Sequence, residues 1–289
     1  SYVGLERTVE RLIKEGVDVN PEGGWFGFPL QAASLHGQKR IVQLLLNGGA
    51  DVNAKGGEYG NALQAACDTG DEEIVQLLLQ AGADINAQGG KYGNALQAAS
   101  LQGNKEIVKL LLERGADVNA QGGKYGNALQ AACLGGNKGV VQLLLEHGAD
   151  VNAQGGYCGN ALQAASFESH EIVEMLLERG ADVNAQGGYY GTALQAACTG
   201  NKNKEIVQLL LESGANVNVQ GGHYGNALQA SCIGGSKEIV QLLLERGADV
   251  NAQGGHHGSA LQAAIYTGEE EIIQLLLDHG AHRVEPVIA

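Results

Sequence analysis

Three groups of side chains in this chain carry residue types that do chemistry elsewhere. His170, Glu171, Ile172, Val173 and Glu174 begin like the helical zinc-protease motif His-Glu-x-x-His. That motif needs two imidazoles one helical turn apart to hold the metal, with the glutamate between them to activate water. Glu174 stands where the second imidazole is required, so no metal site of this kind follows. Gly-Gly-Lys, ending at Lys91 and again at Lys124, suggests a phosphate-cradling loop. A tyrosine follows each lysine, however, where Ser or Thr would hold magnesium, and no strand pattern precedes either copy. His223, His256 and His257 fall at neighbouring points of a repeating pattern. Repeats one helix diameter apart, ~10 Å, converge poorly on a metal bond of ~2.1 Å, so these histidines read as surface or contact residues. No nucleophile recurs beside a base, and the expectation is a non-enzymatic chain without metal or cofactor.

The elements behind these residues are set by a repeat. Leu-Gln-Ala-Ala, once Leu-Gln-Ala-Ser, begins at Leu30, Leu63, Leu96, Leu129, Leu162, Leu194, Leu228 and Leu261, a period of 33 residues with one step of 32 and one of 34. Such a period marks a stacked array in which each unit buries its apolar face against its neighbours. Forty-five glycines against three prolines fit this, because the glycines recur at fixed places in the period and act as turn and cap residues. The formal charge of −14 opposes nucleic acid and anionic membrane as partners. Neither a membrane-spanning run nor a signal pattern is present, and the chain opens almost directly in a second-helix pattern, which suggests a piece of a larger protein. Of the five cysteines, Cys67, Cys133, Cys198 and Cys232 share one repeat position, which Ser34, Ser100 and Ser166 fill elsewhere. A slot that takes Cys or Ser suits a small buried residue, so reduced structural thiols in a cytoplasmic protein are expected.

Within residues 53–85, Asn53 to Gly60 is rich in residues that tolerate positive φ and reads as a tight finger. Asn61 is placed to cap a short first helix, as are Asn94, Asn127, Asn160, Thr192, Asn226 and Ser259 in later copies. The first copy has Phe28 there, followed by Pro29 at the helical position where proline is best tolerated. Asp71 can cap a second helix over Glu72 to Gln80, whose Ile74, Val75, Leu77, Leu78 and Leu79 form a stripe wide enough to pack on more than one side. Gly82, Gly115, Gly148 and Gly180 sit where a left-handed C-terminal cap is wanted. Small first-helix residues opposite large second-helix residues predict wedge-shaped units, with fingers and first helices on a concave face.

Gly-Ala-Asp-Val-Asn-Ala, followed by Glu-Ile-Val-Gln-Leu-Leu-Leu, resembles the ankyrin repeat from about Val9 to Ala281. The implied fold class is an all-α, ankyrin-repeat solenoid. It comprises a half repeat over residues 1–19, then repeats over 20–52, 53–85, 86–118, 119–151, 152–183, 184–217 and 218–250, and an eighth with a tail over 251–289. The variant Gly-Gly-x-Tyr-Gly-Asn-Ala-Leu-Gln-Ala-Ala resembles the C-terminal arrays of fungal NACHT-type receptors, which implies a ligand-sensing array. Where the family usually reads Thr-Pro-Leu-His this chain reads Asn-Ala-Leu-Gln, so Gln64, Gln97 and their equivalents should replace the family's histidine hydrogen bonds.

Specificity must lie in positions that change between copies. The x of Gly-Gly-x-Tyr-Gly reads Trp25, Glu58, Lys91, Lys124, Tyr157, Tyr189, His223 and His256. The tyrosine after it is nearly constant and is expected to pack between fingers. At the ends of first helices, Leu101, Leu134, Phe167 and Ile233 either lean into the next repeat or line an apolar strip. The acidic residues Asp51, Asp84, Asp117 and Asp150 recur after the second helix, which argues for turn chemistry. The favoured reading is a monomeric module that grips a protein or peptide on the concave face with the tips and strip. A structural spacer without a ligand and an engineered consensus array are the alternatives.

Overall fold

A computed structural model describes residues 2–167, 169–200 and 203–282. Glu168 and residues 201–202, where the 32- and 34-residue copies depart from the period, lie outside it. The described residues form seventeen helices and no strand, divided between two compact units, residues 1–150 and 151–289.

The first unit holds α1 (Tyr2–Lys14), then the pairs α2 (Pro29–Leu35) with α3 (Lys39–Asn47), α4 (Ala62–Thr69) with α5 (Glu72–Gln80), α6 (Ala95–Gln102) with α7 (Lys105–Glu113), and α8 (Ala128–Leu134) with α9 (Lys138–Glu146). First helices pack in a row, α2 on α4 on α6 on α8, and second helices form a parallel row from α1 to α9. The second unit repeats this arrangement. Its pairs are α10 (Ala161–Ala165) with α11 (His170–Glu178), α12 (Ala193–Cys198) with α13 (Lys204–Glu212), α14 (Ala227–Gly234) with α15 (Lys237–Glu245), and α16 (Ala260–Thr267) with α17 (Glu270–Asp278). Its two shortest first helices, α10 and α12, belong to the copies of irregular length.

The sequence accounts for each boundary. Asn61, Asn94, Asn127, Asn160, Thr192, Asn226 and Ser259 each accept a hydrogen bond from the backbone N–H three residues on, as the cap positions predict. Phe28 has no acceptor; there Gln31 reaches back, and its Oε1 accepts from the Phe28 N–H at 3.2 Å. Asp71 caps α5 by accepting from Ile74 N–H at 3.0 Å. Ile74, Val75 and Leu78 are fully buried, and so are Leu63, Ala65 and Ala66 of the facing first helix.

Two side-chain ladders then tie repeat to repeat. At the turns after the second helices, Asn53 donates to Gly82 O and accepts from Asp84 N–H, and Asn184 does the same to Gly214 and Asn216. Asp51 and Asp84 fold back on the N–H two residues ahead, which is the turn chemistry expected of them. Deeper in, Gln64 Nε2 donates to Ala87 O at 3.1 Å and Gly93 O at 3.3 Å. Gln97 reaches three carbonyls of the next finger, at Ala120, Gly122 and Gly126. In the second unit Gln195 reaches Val219, Gly221 and Gly225. The glutamines thus supply the inter-repeat hydrogen bonds expected of them.

Candidate interaction surface

Each finger closes on itself through a glycine pair, as where Gly89 N–H donates to Gly93 O at 2.8 Å. The residue between, the variable tip, is joined to its neighbour by a backbone hydrogen bond. Glu58 N–H donates to Trp25 O, Lys91 to Glu58 and Lys124 to Lys91, at 2.9–3.2 Å. In the second unit Tyr189 donates to Tyr157, His223 to Tyr189 and His256 to His223, at 2.8–2.9 Å. Adjacent fingers therefore approach as strands of a sheet do, not at the ~10 Å set by helix diameter. This corrects the premise used for the histidines: His223 and His256 stack with ring centroids 5.0 Å apart. Glycine makes the approach possible. A Cβ on Gly90, at φ +62°, would stand 2.4 Å from the Tyr59 carbonyl carbon.

In the first unit the tips differ in availability. Trp25 is 68 % exposed and Lys124 is exposed, with its ammonium 5.9 Å above Tyr125. Glu58 and Lys91 are engaged with each other at 3.3 Å, and Lys91 Nζ also lies 4.2 Å over Tyr59 and 4.8 Å over Tyr92. Burial works against the Lys91 charge, but its contacts with Tyr92, Glu58 and Tyr59 outweigh this and hold its pKa above the ordinary lysine range. The tyrosine following each tip packs between fingers as expected: Tyr92 is buried, stacks 6.0 Å from Tyr125 and donates its hydroxyl to Asp68. Burial, then that hydrogen bond, raises its pKa. Gln102 donates to the same Asp68 oxygen at 2.7 Å, a network formed by residues 34 apart on successive first helices.

In the second unit the tips form one stack, Tyr157 to Tyr189 at 5.1 Å, Tyr189 to His223 at 4.7 Å and His223 to His256 at 5.0 Å, with planes within 18°. A second row, Tyr190 and Tyr224, meets it edge to face. His257 lies 4.9 Å from both His256 and Tyr266. Burial, then the charges of His256 and His223, lowers the His257 pKa. The unfolded chain consequently binds the proton more readily than the folded one, so stability falls as pH drops below the ordinary histidine value of ~6.5. Wild type is expected to lose more melting temperature between neutral and mildly acidic pH than His257→Gln. Equal losses in a pH series of thermal melts would contradict this.

With this geometry in view, the family model for ankyrin repeats (3 copies) matches residues 1–89, 30–122, 96–187, 161–254 and 193–285. The chain belongs to the ankyrin-repeat family. A comparison with curated proteins gave no match. Ankyrin repeats in general are protein–protein interaction modules, and proteins built from them are typically not enzymes.

The remaining candidate positions sit unequally in the ankyrin units. Leu134 is 39 % exposed, whereas Leu101 and Phe167 are half-buried. The Leu101 carbonyl accepts from Asn137 of the next repeat at 2.8 Å, and the Phe167 ring lies edge-on to Tyr190 at 4.5 Å. Phe167 thus packs onto the scaffold, while Leu101 is tied to it through its backbone carbonyl. Tyr266, one of the positions that vary at the ends of first helices, is 77 % exposed at the end of α16, and sequence reasoning passed over its neighbour Ile265, 52 % exposed and signalled only by its departure from Cys or Ser. All five cysteines are reduced thiols and buried. Burial pushes the Cys67 and Cys198 thiols far above their usual range and the Cys232 thiol to about 12, so they stay protonated and poorly nucleophilic. Among the described residues no group of three or more His, Cys, Asp or Glu is arranged to hold a metal ion, and no helix is long and apolar enough to cross a membrane.

Proposed function

We propose that the finger tips and the adjacent first-helix ends, on the face expected to be concave, bind a protein or extended peptide. In this reading the chain is the non-enzymatic, ligand-sensing array of a larger cytoplasmic receptor. One observation carries the proposal: tip backbones are bonded in rows while the side chains they display change from repeat to repeat. A row whose backbone is already bonded leaves less loop ordering to lose on binding, and it displays exposed side chains such as Trp25 and Tyr157. Aromatic side chains so presented are the type that concentrates interface energy. The receptor role is supported by the resemblance of the Gly-Gly-x-Tyr-Gly-Asn finger to fungal NACHT-type arrays.

Affinity capture from an extract of a fungal host, with wild type and with the triple variant Trp25→Ala, Tyr157→Ala, Tyr189→Ala, tests this. A partner retained by wild type and lost from the variant, at an unchanged helical content by circular dichroism, is the expected result. Identical retention by both would favour the spacer reading, in which the near-identical repeats set a distance and the tips contact nothing.

A further inference from the structure

The tip rows of the two units offer a partner different chemistry. In residues 1–150 the finger tyrosines already hold a cation, because Lys91 lies over Tyr59 and Tyr92 with Glu58 beside it. In residues 151–289 the same tip positions carry Tyr157, Tyr189, His223 and His256, so no lysine or arginine of that row fills the equivalent role. Face-to-face stacking uses up the ring faces within the row. What remains accessible, most openly at Tyr157 and His256, is a line of ring edges bearing phenol oxygens and imidazole nitrogens, groups that can accept from N–H donors.

The spacing of that line selects a shape. Its steps of 4.7–5.1 Å are close to the pitch of an α-helix, about 5.4 Å, at which side chains on one helical face recur. Side chains on one face of a strand recur at roughly 6.6 Å and would drift out of step with the rings. Charge selects a sign: the formal charge of −14 draws a cationic segment towards the protein and opposes an acidic one. At Lys91 the ammonium lies over ring faces, which stacking occupies in this row, so here a cation must be held by the oxygens and nitrogens at the ring edges.

We infer that the row Tyr157, Tyr189, His223 and His256 binds a basic amphipathic helix of a partner protein, with one Lys or Arg per turn against successive ring edges. The inference rests on the reading of the tip rows as binding surfaces and names the partner class for one of them.

The test uses three synthetic peptides of equal length: a helix with Lys or Arg on one face, the same composition interrupted by a central proline, and a Glu counterpart. Binding to the full chain is read by fluorescence anisotropy at ~0.15 M salt, where long-range attraction is screened beyond about 8 Å. The basic helix should bind most tightly, and the proline peptide at least about tenfold more weakly. Combining Tyr157→Ser, Tyr189→Ser and His223→Ser should weaken the basic helix by about tenfold or more, whereas Gln241→Ser, on the exposed face of α15, leaves it unchanged. Tyr157→Ser alone serves as the probe if the combined variant melts at lower temperature. Equal affinity for the basic helix and its proline version, or preference for the acidic peptide, overturns the inference. If none of these peptides binds while capture of a partner still depends on the tips, the partner class falls and the surface stands. If the basic helix binds the combined variant undiminished, the second-unit tips fall as a surface too.

Discussion

Gly93→Ala is expected to destabilise the first unit by roughly 3–4 kcal/mol, through backbone strain and displacement of a neighbouring side chain together. Gly93 holds φ +96°, where an L side chain is strained by about 1–2 kcal/mol. A Cβ there would also stand 2.1 Å from Gln97 Oε1 and 2.9 Å from the carbonyl carbon of Gly122. The methyl must therefore displace the glutamine that reaches three carbonyls of the next finger, and the finger with it. Gly82→Ala is the matched control, since φ is +89° and nothing lies within 4 Å of a Cβ at that position. It should cost only the strain, about 1–2 kcal/mol. Chemical denaturation of both variants decides the matter, and equal losses would mean that finger packing adds nothing to backbone strain.

Gln97→Leu should cost roughly 2–3 kcal/mol despite its greater hydrophobicity. The leucine fills similar space but leaves the part-buried Ala120 and Gly122 carbonyls without their amide donor and takes one of two donors from the buried Gly126 carbonyl, which keeps only the Gly122 N–H; each unmet acceptor costs about 1–3 kcal/mol when buried. The oxygen of the same amide has no conventional donor and rests against Gly93, so the bonds lost are those of Nε2. The eighth copy supplies an internal control. Gln262 is exposed, and its side-chain amide makes no hydrogen bond among the described residues, so Gln262→Leu should be neutral within about 0.5 kcal/mol. Similar losses at both positions would show that the motif glutamine acts through helix propensity and not through its bonds to the next finger.

How much was legible in the sequence follows from which interactions are local. The Asn61 and Asp71 caps and the buried Ile74, Val75 and Leu78 are set within a few residues of themselves, and each was readable from spacing. The replacement of a histidine by Gln64 was readable because the repeat places the same residue at the same point eight times. Finger separation was not readable. It depends on tip-to-tip bonds between backbone groups about 33 residues apart, and such groups leave no side-chain signature. Treating the array as helices alone put His223 and His256 too far apart for contact. Nor did spacing reveal that Lys91 would be taken up by Glu58 and Tyr59, that Asn137 would bond the Leu101 carbonyl, or that Phe167 would turn onto Tyr190. These contacts join residues of different repeats through geometry that the fold alone supplies.

The central claim is that the tips are backbone-bonded rows on which only the side chains vary. Amide hydrogen exchange resolved by residue measures this directly. The N–H groups of Lys91, Tyr189, His223 and His256 should be strongly protected although they lie at surface turns, because each donates to the tip before it. The N–H of Trp25, which has no donor bond among the described residues, should exchange at the rate of an open loop. Loop-like exchange at all five positions would contradict the account, since flexible tips present no fixed surface to a partner.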